Sequence, residues 1–140
     1  MKGTDLYHPL ILKHNKNPLH FKVDNDGDKI NAYNPICGDE FQIVISIENN
    51  KINKASFHGY GCAVSKSALD LLLDRIQNLD IPEAVAEIEK YLRVIDLDDP
   101  PSSDVYSLAV FQKVKFHPPR RECATLGANA ILRHLRERLV

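Results

Sequence analysis

The sequence predicts an α+β fold, in which a three-stranded antiparallel sheet packs against helices. Two patterns support this. Apolar and polar residues alternate with a period of two over residues 40–48, which is typical of a strand with one buried face. After Gly61, apolar residues recur at helical intervals along most of the remaining chain. The apolar set of the strand is Phe41, Ile43, Ile45 and Ile47.

The other elements follow from turn residues and spacing. Asn49 and Asn50 predict a short turn to a second strand over residues 51–58, and residues 29–33 predict a third. Residues 24–28 are a turn by composition; a calcium loop is the less favoured reading, because the EF-hand pattern is incomplete. The first three predicted helices cover residues 5–13, the segment after Gly61 to about Ile76, and the segment from an Asp80 N-cap to about Leu92. Two more are predicted over residues 105–114, after a break at 98–103, and over about 120–139.

Length and charge limit the classes of protein. The chain has 140 residues, which fits one domain over residues 1–140. Its 18 Lys+Arg against 19 Asp+Glu give a net charge of -1, so no overall basic field attracts nucleic acid. No apolar stretch approaches the roughly 18 residues that would span a bilayer. We expect a soluble, cytoplasmic protein that binds neither nucleic acid nor a membrane.

The three cysteines lie at similar places in the sequence. Cys37 follows a proline-containing turn, Cys62 follows a glycine-rich turn that enters a helix, and Cys123 is expected in the first turn of the last helix. Such junctions leave backbone room for a metal or a sulfur atom, and a helix N-terminus favours a thiolate. Metal binding or thiol chemistry is therefore the hypothesis, and buried structural cysteines are the alternative.

A carboxylate lies two residues from the first cysteine. In an extended segment, Cys37 and Asp39 would point to the same side. Three thiolates and one carboxylate oxygen suit tetrahedral Zn²⁺ or the ends of a [2Fe–2S] cluster. The intervals of 25 and 61 residues between successive cysteines do not match a zinc finger, so the spacing alone is weak evidence.

Segments spread over nearly the whole chain occur in the order of one known family. They are Leu6-Tyr7 with Ile11-Leu12-Lys13-His14-Asn15-Lys16-Asn17-Pro18, Asn34-Pro35-Ile36-Cys37-Gly38-Asp39, Phe57-His58-Gly59-Tyr60-Gly61-Cys62-Ala63-Val64-Ser65 and Cys123-Ala124-Thr125-Leu126. With these segments the chain resembles the SufU/IscU family, which also includes the N-terminal domain of NifU.

The resemblance implies that the cysteines and the aspartate meet at one exposed end of the fold. There the site accepts sulfane sulfur from a cysteine desulfurase, and in the scaffold branch it builds a transient [2Fe–2S] cluster. The metal ligands implied by the motifs are Cys37, Asp39, Cys62 and Cys123.

Two features favour the SufU-like branch. Glu122 precedes Cys123 where IscU-like scaffolds usually have His, and residues 116–121 lack their Leu-Pro-Pro-Val-Lys motif. The resemblance to this branch implies a Zn²⁺-dependent sulfurtransferase that works as the partner of a SufS-like cysteine desulfurase and is not an independent enzyme. It also implies downstream Fe–S assembly proteins as further partners. Cys37 is the first choice of sulfur acceptor and Cys123 the second, and Arg120 either steers the thiolate or is a solvated charge.

Several alternatives stay open from the sequence. A scaffold that binds iron and sulfide is the second hypothesis, and a structural zinc domain is the third. Glu122 is either an unusual ligand or a favourable acid near a helix start, and His58 is either a ligand or an ordinary surface residue. His58 and Tyr60 stand where acidic residues are common in the family, which bears on the docking surface.

Overall fold

The computed structural model describes residues 8–96 and 107–139. Its elements are α1 (Pro9–Lys16), β1 (Asp28–Asn34), β2 (Asp39–Glu48), β3 (Lys51–Tyr60), α2 (Ala63–Ile76), α3 (Ile81–Asp96), a 3-10 helix (Ser107–Phe116) and α4 (Pro118–Leu139). The predicted α+β class is confirmed. No helix within the described ranges is both long and apolar enough to cross a membrane.

The sheet has the antiparallel order β1-β2-β3. Asn49 and Asn50 connect β2 to β3 with positive φ angles of 52° and 64°, which asparagine tolerates better than most residues. The predicted alternation holds for Phe41, Ile43 and Ile45, which are buried on one face, whereas Ile47 is only partly buried beyond a register shift at Ser46 and Ile47. This face packs on the helices, so the sheet forms one side of the hydrophobic core.

The helices cover that face and are fixed to one another by apolar and polar contacts. Helix α2 packs between α1 and α4 and is buried along most of its length. The fully buried Asp70 on α2 accepts hydrogen bonds from His14 Nδ1 at 2.6 Å and from the backbone N–H groups of Leu19 and His20. This carboxylate ties α1 and the following segment to α2.

Asp80 and Glu83 form the predicted cap of α3, because the side chain of each accepts the backbone N–H of the other.

Some predicted boundaries were wrong. Helix α1 begins at Pro9 and continues to Lys16, three residues beyond the prediction, whereas residues 5–7 lie outside the described residues. The predicted helix over 105–114 is a 3-10 helix over 107–116, since its buried residues Leu108, Phe111 and Val114 recur every three positions, the period of that helix. Residues 98–103 and 105–106 also lie outside the described residues.

Candidate metal centre

Cys37 lies on the turn that joins β1 to β2. Asn34 accepts the Ile36 N–H through its Oδ1 at 3.1 Å, and its carbonyl oxygen accepts the Gly38 N–H at 2.8 Å. Gly38 has φ +75°, a conformation that favours glycine, and nothing lies within 4 Å of a Cβ built there. The turn therefore leaves Cys37 exposed at the end of the sheet.

Asp39, the first residue of β2, is buried beside this turn and is only 2% exposed. Its Oδ1 accepts the backbone N–H of Cys62 at 3.0 Å, which joins β2 to the start of α2. Its Oδ2 is also buried but has no hydrogen-bond partner among the described residues. A buried carboxylate oxygen left unpaired is costly, so this atom calls for a cation or a donor that protein atoms do not supply.

Cys62 is the N-cap of α2 and is half-buried. Its thiol donates to Ser65 Oγ at 3.7 Å, and Ser65 Oγ donates to the Cys62 carbonyl at 3.1 Å. Sequence reasoning did not identify Ser65, although a serine three residues after an N-cap is well placed for such a contact.

Cys123 lies deeper, at 1% exposure, and its Sγ is 3.7 Å from Cys37 Sγ. Because α4 begins at Pro118, the residue is in the second turn and not in the predicted first turn. Burial raises the pKa of the Cys123 thiol well above its usual range, and the nearby Asp39 and Cys62 add to this. The expected benefit from the helix N-terminus was therefore wrong for Cys123, since that effect fades within the first turn.

Arg120 lies one turn before Cys123, with its Nη1 4.0 Å from the Cys123 sulfur. The contact with Cys123 and the proximity of Cys62 raise the pKa of Arg120, so its guanidinium stays charged beside the thiols. Glu122 is exposed and pairs with Arg121 at 3.1 Å. His58 lies on the outer face of the sheet, and neither it nor Glu122 belongs to the ligand cluster of the described residues.

The donor atoms of Cys37, Asp39 and Cys123 all lie within 4.8 Å of one another. The structure thus groups three of the four predicted ligands, while the Cys62 sulfur is turned toward Ser65. Two thiolates on one tetrahedral Zn²⁺, with bonds of about 2.3 Å, lie about 3.8 Å apart. The observed 3.7 Å between the Cys37 and Cys123 sulfurs fits this value. The donor set and the unpartnered Asp39 oxygen are therefore suited to a metal ion.

Comparisons with known proteins show the family of the chain. The family model for the NifU-like N terminal domain matches residues 6–137. The zinc-dependent sulfurtransferase SufU of Bacillus subtilis strain 168 is 30% identical over 129 residues, which are 90% of this chain and 86% of that protein. The iron–sulfur cluster assembly scaffold protein IscU of Streptococcus pyogenes serotype M1 is 24% identical, with 93% and 82% covered.

Solved structures share the fold. An iron–sulfur cluster assembly scaffold protein for the SUF system from Fervidobacterium islandicum AW-1 superposes with a TM-score of 0.80 at 24% identity, covering 90% of this chain and 93% of that one. A NifU-like N-terminal protein from Brucella abortus gives 0.81 at 14% identity, with 94% and 92% covered. The chain therefore belongs to the NifU-like N-terminal domain family, together with the SufU and IscU proteins of iron–sulfur cluster assembly.

Proposed function

We propose that this chain is a SufU-type, zinc-binding sulfur acceptor that works with a SufS-like cysteine desulfurase in the cytoplasm, as a single domain over residues 1–140. The observation that carries the proposal is the buried Asp39 carboxylate, which clusters with the Cys37 and Cys123 sulfurs and whose Oδ2 has no hydrogen-bond partner among the described residues. The similarity to a zinc-dependent SufU supports it.

In this proposal Cys37, Asp39, Cys62 and Cys123 hold the resident ion. A bound Zn²⁺ would keep these thiolates deprotonated at neutral pH, which would offset the effect of burial that raises the pKa of the Cys123 thiol. Cys62 would be the fourth ligand, and Asp39 Oδ1 holds its backbone in position. Asp39 would supply the one hard oxygen ligand, the type that exchanges most easily.

Cys37 is the proposed acceptor because it is exposed, whereas Cys123 is buried. The Cys37 thiolate attacks the outer sulfur of the donor's cysteine persulfide. A new S–S bond forms on Cys37, the donor's S–S bond breaks, and the donor cysteine leaves as a thiolate. Cys123 Sγ lies close enough to receive that sulfur next, and the Arg120 guanidinium stabilises negative charge on the thiols.

The second candidate is a scaffold on which iron and sulfide, as substrates, are assembled into a transient [2Fe–2S] cluster for downstream proteins. The similarity to IscU proteins supports it. The sulfur-acceptor role is favoured because Glu122 precedes Cys123, where IscU-like scaffolds usually have a histidine. Glu122 is exposed and paired with Arg121.

Turnover by the cognate desulfurase tests the choice. We expect zinc-loaded protein to accelerate release of alanine from cysteine, and Cys37→Ser to abolish the acceleration. Unchanged turnover with the wild-type protein would overturn the acceptor role. Anaerobic addition of iron and sulfide tests the scaffold, because a stable visible absorbance would favour that function.

A further inference from the structure

Two tyrosines and one glutamate form a cross-strand row on the outer face of the sheet, beside the metal centre. The register places Tyr33 opposite Glu40 and Glu40 opposite Tyr60, so the three residues cross β1, β2 and β3 in one line. All three are exposed, Tyr33 by 60% and Tyr60 by 74%. We call these residues the tyrosine–glutamate row.

The row is held together by a close approach of two strands. Gly59 has φ +133°, and a Cβ built there would lie 2.1 Å from the carbonyl oxygen of Glu40. Only glycine therefore allows β3 to run this near to β2, and the next residue, Tyr60, is kept beside Glu40. Neighbouring strands lie about 4.8 Å apart, so the two tyrosines stand about 10 Å apart with the carboxylate between them.

The surface around the row is concave and rich in unused acceptors. A cavity of about 340 Å³ is lined by the row together with Asn31, Gln42 and His58. Glu40 forms no ion pair within the described ranges of the chain. His58 Nδ1 is buried without a hydrogen-bond partner there, and it accepts when the proton is on Nε2. An exposed carboxylate, a histidine and two tyrosines thus line one cavity.

We propose that the tyrosine–glutamate row binds an arginine side chain of the protein that donates sulfur to this chain. A guanidinium carries five N–H donors and no acceptor, which complements the Glu40 carboxylate. Its planar cation stacks on tyrosine rings, whereas the compact, strongly hydrated lysine ammonium fits such a site less well.

The position of the row explains why this partner is the sulfur donor. Tyr33 and Glu40 directly flank the 34–39 turn that carries the exposed Cys37. An arginine held there would fix the partner's surface next to the acceptor thiol. This inference rests on the proposed function, because it assumes that a sulfur donor docks at this end.

Small probes test the site without any partner. We expect N-acetyl-arginine amide to shift the NMR signals of Tyr33, Tyr60 and His58 in the zinc-loaded protein, and its uncharged analogue N-acetyl-citrulline amide to shift them much less. In Glu40→Gln the arginine probe should lose at least tenfold in affinity. Equal shifts from the two probes, or an unchanged affinity in Glu40→Gln, would overturn the proposal.

Affinity for the cognate desulfurase provides the second test. We expect Glu40→Gln to weaken binding at least tenfold and to reduce its salt dependence, with zinc content unchanged. Glu48→Gln, an exposed glutamate at the far end of the same strand, is the matched control and should bind as the wild type. If Glu40→Gln binds and stimulates normally, the row is not the docking site and the sulfur-acceptor function stands. If the wild type neither binds nor stimulates, both proposals fail.

Discussion

The turn that carries Cys37 and the helix that carries Cys123 bring two sulfurs to within 3.7 Å from opposite environments. The turn is glycine-containing, exposed and held by the backbone and side chain of Asn34. The helix position is 1% exposed, and its burial raises the pKa of the Cys123 thiol. Two identical side chains can thus serve different purposes, one accessible to a partner and the other protected from it.

Replacing Cys37 and Cys123 separately is the strongest test of their different roles. After one turnover with the desulfurase, we expect the persulfide on the peptide that contains Cys37, and none in Cys37→Ser, because only that thiol is exposed. Cys123→Ser should retain part of the Cys37 persulfide. Mass spectrometry of the digested protein measures both, and equal loss in the two variants would contradict the division of roles.

Asp39→Asn removes the charge between the two regions with little change of shape. We expect zinc affinity to fall roughly 100-fold, because a neutral amide is a poorer ligand for a cation. Chelator competition measures this. The zinc-free variant should be at least as stable as the zinc-free wild type in urea, because a buried carboxylate without a partner for Oδ2 is lost.

Asp26→Asn, on the exposed segment before β1, is the control for that experiment. Its zinc affinity should equal that of the wild type. A similar fall in both variants would mean that overall charge, and not the Asp39 oxygen, governs zinc binding.

The buried environment of Cys123 predicts how the zinc-free protein responds to pH. Its thiol has a raised pKa in the folded state, so its contribution to stability is complete below the unfolded thiol pKa of about 8.5 and is lost above it. Above that pH, the free energy of unfolding should fall by up to about 1.4 kcal/mol per pH unit. Urea unfolding between neutral and alkaline pH measures this slope, and Cys123→Ser should show a shallower one. Equal slopes would contradict the assigned environment.

The smallest expected effect concerns the turn. Gly38→Ala should cost about 1 kcal/mol of unfolding free energy, because the φ of +75° is unfavourable for alanine although its Cβ has free space. Gly38→Asn should cost less, since asparagine tolerates this conformation better. Urea unfolding compares them, and equal costs would show that the backbone angle is not the cause.

Much of the fold could be predicted from local patterns. The alternation around Ile43 determined which face of β2 is buried, and the Asp80 cap marked the start of α3. The pattern did not predict that Val44, on the opposite face, is also buried, at 2% exposure. Alternation reveals which face a residue lies on, but not what else covers that face.

The structure groups three of the four predicted ligands, Cys37, Asp39 and Cys123, whereas the environment of Cys123 was not predicted. The predicted start of α4 is two residues late, because proline is favoured in a first turn and both Pro118 and Pro119 belong to the helix. Cys123 therefore lies beyond the reach of the helix N-terminus. The roles of Asn34 and Ser65 depend on hydrogen bonds that spacing does not specify.

The most direct test of the central claim is the metal content of protein purified without added metal, together with its visible spectrum under anaerobic conditions. We expect about one zinc per chain, no colour, and a clear loss of zinc in Asp39→Asn. Iron with visible absorbance would favour the scaffold function. If the wild-type protein contained no zinc and no iron, that result would contradict the metal centre of Cys37, Asp39, Cys62 and Cys123.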